Sequence, residues 1–151
     1  MNDTNSRTYR QRLGIRGWAI GGRWGIERYV YTLHRITGLG ILAYFLMHII
    51  VTSSIALGQT QWEWWMTLFS ALPFKIGEFL VFVAFAFHGL NGIRLVMVEL
   101  GFAVGPPEAP VYPYRTSLNT QRPLLVVVML IAGVVILVGA YDFFFLVEAG
   151  H

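Results

Sequence analysis

Residues 36–57 read ITGLGILAYFLMHIIVTSSIAL, a stretch without a single lysine, arginine, aspartate or glutamate. About 20 apolar residues in a helix are enough to cross the hydrocarbon core of a bilayer. Two later stretches are similarly long: residues 76–98 read IGEFLVFVAFAFHGLNGIRLVMV, and residues 124–146 read LLVVVMLIAGVVILVGAYDFFFL. Buried helices of a soluble protein are a poor alternative, because the three stretches fill nearly half of the chain. The pattern predicts an all-α integral membrane protein with three transmembrane helices.

The composition supports the same class. Of the 151 residues 56% are hydrophobic and 13% are charged, whereas soluble domains carry about 25% charged residues. These proportions argue against a disordered chain and against an ordinary soluble enzyme. The sequence contains no cysteine, which excludes disulfides, thiol catalysis and ligation of an iron–sulfur cluster by this chain.

The distribution of basic residues predicts the orientation in the membrane. Seven arginines lie in residues 1–35, whereas the segment 58–75 has Lys75 as its single basic residue. Because basic loops stay on the cytoplasmic side, residues 1–35 form a basic cytoplasmic segment and residues 99–123 a proline-rich, extended cytoplasmic loop. The C-terminus is then outside. We expect a prokaryotic plasma membrane, because Asp3 counts against the alternative of a mitochondrial transit peptide.

Span 76–98 contains polar residues that need a partner or a function in a bilayer. His88, Asn91 and Gly92 share one helical stripe, and Gly89 and Gly92 reduce the bulk beside His88. Arg94 follows about 9 Å further toward the inner surface. Two interpretations fit this pattern. Either His88 ligates haem iron and Arg94 pairs with a propionate, or His88 is a hydrogen-bonded packing histidine and Arg94 extends to the membrane surface.

Two histidines of the first helix lie on one side, roughly 21 Å apart. His34 is at the inner boundary, and His48 is deep in the apolar run. The two cannot bind the same iron at such different depths. His48 is either the ligand of a second haem or a packing histidine bonded to another helix or a partner chain.

Two motifs resemble a known family. Residues 31–38, YTLHRITG, are similar to S-x-x-H-R-x-[ST]-G, and residues 87–94, FHGLNGIR, contain a match to H-x-x-[NG]-G-I-R. Both are signatures of the cytochrome b membrane anchor of succinate dehydrogenase (respiratory complex II), and they occur here in the same order. The resemblance implies a bundle of helices that is completed by a sister membrane anchor and binds haem.

The resemblance also implies roles for single residues. His88 matches the axial ligand of haem b, with the second axial histidine supplied by the sister anchor. Thr32 and Arg35 match residues beside the quinone headgroup, and His34 and Arg35 match groups near the haem propionates. Family members often have a histidine after the arginine of the second motif, whereas Leu95 occupies that position here.

His48 departs from the pattern of anchors with one haem. Two-haem anchors of related quinone oxidoreductases carry a histidine deep in the first span, about ten residues after a glycine. Gly38 precedes His48 by ten residues. This similarity adds a second haem, on His48, as an alternative to the one-haem pattern in which only His88 is a ligand, and the number of haems stays open between one and two.

The expected function is therefore that of an anchor for the flavoprotein and iron–sulfur subunits in succinate:quinone oxidoreductase. The chain itself would not oxidise succinate but would contribute to the quinone site, with lipid and no nucleic acid as further partners. Three alternatives remain: a fumarate reductase anchor, a haem-free structural anchor, and a small transporter subunit in which Glu78, Arg94 and Asp142 line a path. The choice between ubiquinone and menaquinone stays open.

Overall fold

The computed structural model describes residues 25–106, 112 and 116–146, and within these ranges the chain is helical without β-strands. The helices are α1 (Ile26–Ser53), α2 (Gln59–Phe69), α3 (Leu72–Glu99) and α4 (Leu118–Tyr141). A short 3₁₀ helix, Ser54–Leu57, follows α1, and a π-helical turn, Asp142–Leu146, follows α4. The expected all-α architecture is confirmed. Residues 1–24, which hold most of the basic N-terminal segment, lie outside the described ranges.

Three of the described helices, α1, α3 and α4, are long and apolar enough to span a membrane. Helices α1 and α3 have 28 residues each and α4 has 24, which corresponds to about 42 Å and 36 Å. The hydrocarbon core is only about 30 Å thick. The helices therefore extend beyond the apolar runs, and the early start of α1 places Thr32, His34 and Arg35 on a continuous helix with His48.

Helix α3 packs against both α1 and α4. The three helices meet near the N-terminal ends of α1 and α4, where Val30, Phe87 and Leu125 form a buried cluster with Met129 packed against it. At the same end the Nε of Arg122 donates a hydrogen bond of 2.6 Å to the Glu27 carboxylate. This contact ties the start of α4 to the start of α1.

Most long apolar side chains of these helices are exposed. They include Leu42, Phe45, Ile50, Leu130 and Leu137. A surface of this kind is stable only against lipid or other subunits, because large exposed apolar patches are rare on soluble monomers. The finding agrees with an integral membrane protein.

Two segments differ from the sequence analysis. The expected connection 58–75 contains a helix, α2, because Trp62, Met66 and Phe69 recur at intervals of four and three residues and give it one apolar face. The expected extended loop 99–123 ends early, since α4 begins at Leu118. Residues 116–122 contain neither glycine nor proline. Pro123, which the sequence suggests as a first-turn residue, lies inside α4, where it removes one backbone donor and crowds the carbonyl of Asn119.

Candidate functional site

His34 on α1 and His88 on α3 lie against each other. Their rings stack with centroids 3.9 Å apart and planes inclined by 4°. The sequence analysis expected both residues near one haem but gave no reason for direct contact. The stack is therefore a direct contact between α1 and α3.

The protonated nitrogen of His88 is defined by its contacts. Nδ1 of His88 lies 3.0 Å from the carbonyl oxygen of His34 and 3.3 Å from the hydroxyl of Thr37. A carbonyl oxygen only accepts hydrogen bonds, so Nδ1 carries the proton in this arrangement. Nε2 then carries the lone pair that a metal ion needs. The His34 ring stacks on the face of the imidazole, so it does not cover the in-plane edge at Nε2.

The glycine that makes room for His88 lies on the neighbouring helix. A Cβ atom on Gly38 would lie 2.8 Å from Cε1 of His88, which is too close for any side chain. The sequence analysis expected Gly89 and Gly92 to reduce the bulk beside His88 and named no glycine of α1 for this role. A Cβ on Gly89 would meet nothing within 4 Å in the described part of the chain, and one on Gly92 would face His34 at 3.7 Å.

Thr37 and Gly38 were not identified as site residues from the sequence, although a signal was present. They follow His34 by three and four positions, the spacing at which helical residues share a face. If His34 faces α3, then Thr37 and Gly38 face it as well. The sequence does not show that His34 faces α3, because only the packing of the two helices decides this.

Asn91 and Arg94 form a second polar pair one turn further along α3. Asn91 is fully buried, and its Oδ1 accepts a 2.9 Å hydrogen bond from Nε of Arg94. With Nε fixed, the two terminal amino groups of the guanidinium can bind an anion such as a propionate. Within the described residues, Nδ2 of Asn91 and Nδ1 of His34 are buried without a hydrogen-bond partner. Such orphaned donors and acceptors are typical of a site that is completed by another group.

The two residues expected at the quinone differ in accessibility. Thr32 is only 5% exposed, so its hydroxyl is enclosed by the chain itself. Arg35 is exposed, with its guanidinium carbon 5.3 Å from the centroid of the Tyr31 ring. Of the pair, Arg35 is the residue that an external headgroup reaches first.

His48 lies on the other half of α1 and is exposed. It lines a cavity of about 610 Å³ between α1, α2 and α3, together with Tyr44, Trp62 and Glu78. The Tyr44 ring stacks on the imidazole with centroids 5.7 Å apart. Pockets for cofactors commonly have volumes of about 300–1,000 Å³, so this space is large enough for one.

The transporter alternative places Glu78, Arg94 and Asp142 along one path, but the three residues have different neighbours. Glu78 lines the cavity beside His48, whereas Asp142 lines a groove of about 450 Å³ together with Phe82 on α3 and Val135 on α4. Arg94 binds Asn91 toward the C-terminal end of α3. Glu78 and Asp142 lie nearer to each other, because the rings of their sequence neighbours Phe79 and Phe143 have centroids 5.8 Å apart.

Comparison with known families identifies the chain. The family model described as succinate dehydrogenase/fumarate reductase transmembrane subunit matches residues 18–138. The chain belongs to this family. No curated protein and no solved structure matches it. As a transmembrane subunit of this family, it is part of a succinate dehydrogenase/fumarate reductase complex with other subunits, and the matched range includes both histidine motifs.

Proposed function

We propose that this subunit is the haem b-binding anchor of a succinate dehydrogenase, which tethers the flavoprotein and iron–sulfur subunits and forms part of the quinone-reduction site. The observation that supports haem binding most directly is the state of His88. Its Nδ1 is occupied by the His34 carbonyl at 3.0 Å, so Nε2 is available for iron. Ligating histidines generally bond their second nitrogen to a carbonyl or carboxylate in this way.

The residues around His88 fit a haem. His88 would hold the haem iron together with a histidine of the sister membrane anchor. His34, Arg35 and Arg94 would hold the propionates, for which a guanidinium is well suited. When bound, the haem supplies a reversible one-electron store close to the quinone.

At the quinone, Arg35 would bind a carbonyl oxygen of the headgroup. Its positive charge stabilises the negative charge that develops on this oxygen as electrons arrive from the iron–sulfur subunit. Thr32 would hydrogen-bond the other headgroup oxygen. Because Thr32 is buried, the quinone would have to enter between the helices to reach its hydroxyl.

A second haem at His48 is part of the proposal. The support is the cavity of about 610 Å³ beside this histidine and the stacking of Tyr44, which limits rotation of the imidazole. His48 follows His34, the residue that stacks on His88, by fourteen positions on the same helix, so the two ligands would hold the two haems at different depths of the membrane.

The test is a haem count on the purified complex by pyridine haemochrome. We expect two haems in the wild type and one in each of the variants His88→Ala and His48→Ala, because each variant removes one axial ligand. His151→Ala is the matched control and should retain both. A wild-type complex with one haem would rule out the site at His48, and an unchanged haem content in His88→Ala would contradict the proposed function.

The quinone role is tested by Arg35→Ala. We expect quinone reduction to fall roughly a hundredfold, as when a single charge-stabilising donor is removed, while succinate oxidation with a water-soluble acceptor is retained. Lys75→Ala, which removes a cation at the opposite end of the spans, should leave both rates unchanged. Loss of both activities in Arg35→Ala would indicate a role in assembly instead.

For the location, we propose a prokaryotic plasma membrane with the N-terminus in the cytoplasm and the C-terminus outside. Support comes from the arginine-rich first 35 residues, because basic segments remain on the cytoplasmic side. In this orientation Arg35 and Arg94 lie toward the cytoplasm, where the catalytic subunits would dock.

A further inference from the structure

The hydroxyl of Thr37 has two contacts of different kinds. Oγ1 lies 2.8 Å from the carbonyl oxygen of Leu33 and 3.0 Å from that of His34, and it can donate its single hydrogen to these acceptors. The same oxygen lies 3.3 Å from Nδ1 of His88 on α3. A hydroxyl has two acceptor lone pairs besides its one hydrogen. Thr37 can therefore donate within α1 and accept from His88 at the same time.

We infer that Thr37 is a positioning residue for His88: together with the His34 carbonyl, its hydroxyl holds the proton on Nδ1 and directs the Nε2 lone pair toward the haem iron. This inference rests on the proposed function, because it concerns the histidine proposed as ligand. Thr37 itself does not touch the iron. It acts through the orientation and the electron-donating strength of the imidazole.

Groups of α1 restrict the His88 ring at three places: one face, Cε1 and Nδ1. His34 stacks on one face at 3.9 Å, and the backbone at Gly38 approaches Cε1 so closely that a Cβ would lie 2.8 Å away. The carbonyl of His34 and the hydroxyl of Thr37 take up Nδ1. Of the two groups at Nδ1, the carbonyl belongs to the backbone and the Thr37 hydroxyl to a side chain, so the hydroxyl is the one that a substitution removes without changing the backbone.

The hydrogen bonds at Nδ1 affect the reduction potential of the iron that His88 would bind. A hydrogen bond from Nδ1–H to an acceptor makes the imidazole a stronger base and a stronger donor to iron. A stronger donor stabilises ferric over ferrous iron and lowers the reduction potential. Removing one of the two acceptors should therefore shift the potential to more positive values and weaken the retention of haem.

The experiment compares variants at position 37 in the intact complex. Thr37→Val keeps the shape and removes the hydroxyl, Thr37→Ala removes the hydroxyl without adding bulk, and Thr37→Ser retains it. Thr67→Val is the matched control, because the Thr67 hydroxyl makes the same bond to the carbonyl four residues earlier, that of Glu63, on exposed α2. The readouts are the midpoint potential from an optical redox titration, the low-spin ferric EPR spectrum and the rate of haem loss.

We expect Thr37→Val and Thr37→Ala to raise the potential of the haem at His88, to change its EPR spectrum and to lose haem roughly ten times faster, at the lower end of the effects seen when a hydrogen-bond partner of a metal ligand is removed. Thr37→Ser and Thr67→Val should match the wild type. Unchanged potentials in the Val and Ala variants would overturn the inference, and so would a Ser variant that shifts as much as Val.

These failures are distinct from a failure of the proposed function. If His88→Ala retained the haem, the ligand assignment itself would be wrong whatever happens at position 37. If His88→Ala lost the haem but the Thr37 variants kept the wild-type potential, the assignment of His88 as ligand would be supported and the inferred role of Thr37 would be contradicted.

Discussion

His88 contacts three residues within one turn of the neighbouring helix. His34 contributes its ring and its carbonyl, Thr37 its hydroxyl, and Gly38 the space that the ring needs. The motif H-R-x-[ST]-G therefore has a local physical meaning in this chain. It is a surface on α1 that accepts an imidazole from α3 and takes up its Nδ1 atom.

Gly38 provides a test of this arrangement at the residue scale. We expect Gly38→Ala to displace the His88 ring, because the new Cβ would lie 2.8 Å from Cε1. Overpacking of this kind costs about 1–3 kcal/mol, and here it also disturbs the 3.0 Å bond to the His34 carbonyl. The measurement is the haem content and EPR spectrum of the purified complex.

The control for this variant lies one half-turn away on the same helix. A Cβ on Gly40 would meet nothing within 4 Å among the described residues, so Gly40→Ala should behave like the wild type. Equal spectra for Gly38→Ala and Gly40→Ala would show that the close approach of α1 to His88 does not shape the site.

Helix α1 combines two candidate sites at the scale of an element. Its N-terminal half carries His34, Arg35 and Thr37, and its C-terminal half carries His48. A continuous helix of 28 residues keeps both halves in fixed register with α3. In the proposed two-haem arrangement, this rigidity would keep the two sites separate along the membrane normal.

Helix α2 has a role that its connecting position did not suggest. Trp62, Met66 and Phe69 all line the cavity beside His48. The helix thus closes one side of a space that α1 and α3 form between them. Tryptophan is also favoured at the membrane–water boundary, so Trp64, which is exposed, would anchor α2 there.

The contact between α3 and α4 depends on a small residue, as helix packing in membranes often does. The ring of Phe82 lies so close to Gly139 that any side chain at 139 would collide with it. Gly133, six residues earlier on α4, has no such neighbour within 4 Å among the described residues. The close approach therefore belongs to the outer part of the α3–α4 interface.

At the scale of the whole molecule, the spans bury little of their own surface. Within the most apolar windows only 11% of the residues of α1 and of α3, and 17% of those of α4, are buried. The helices therefore depend on lipid and on other subunits for most of their packing. In the proposed complex, a sister anchor that covers part of this surface would also enclose a haem held by His88.

The orientation of the molecule is open to a direct test, because the chain contains no native cysteine. Thr60→Cys places a thiol on the outer helix α2, and Thr116→Cys places one just before α4 at the opposite end. Both positions are exposed. We expect a membrane-impermeant maleimide to label Thr60→Cys in intact cells and to label Thr116→Cys only after lysis, because the basic segments remain inside. The reverse labelling would contradict the proposed orientation.

The sequence by itself determined the class, the number of spans and the candidate ligand, because lipid requires long uncharged helices and makes an intramembrane histidine conspicuous. It did not predict α2, the stacking of His34 on His88, or the contributions of Thr37 and Gly38. Periodicity shows which residues share a face of one helix. It does not show which face meets another helix, because lipid and protein neighbours both select apolar side chains. Only the packing of α1 on α3 decided that these residues surround His88.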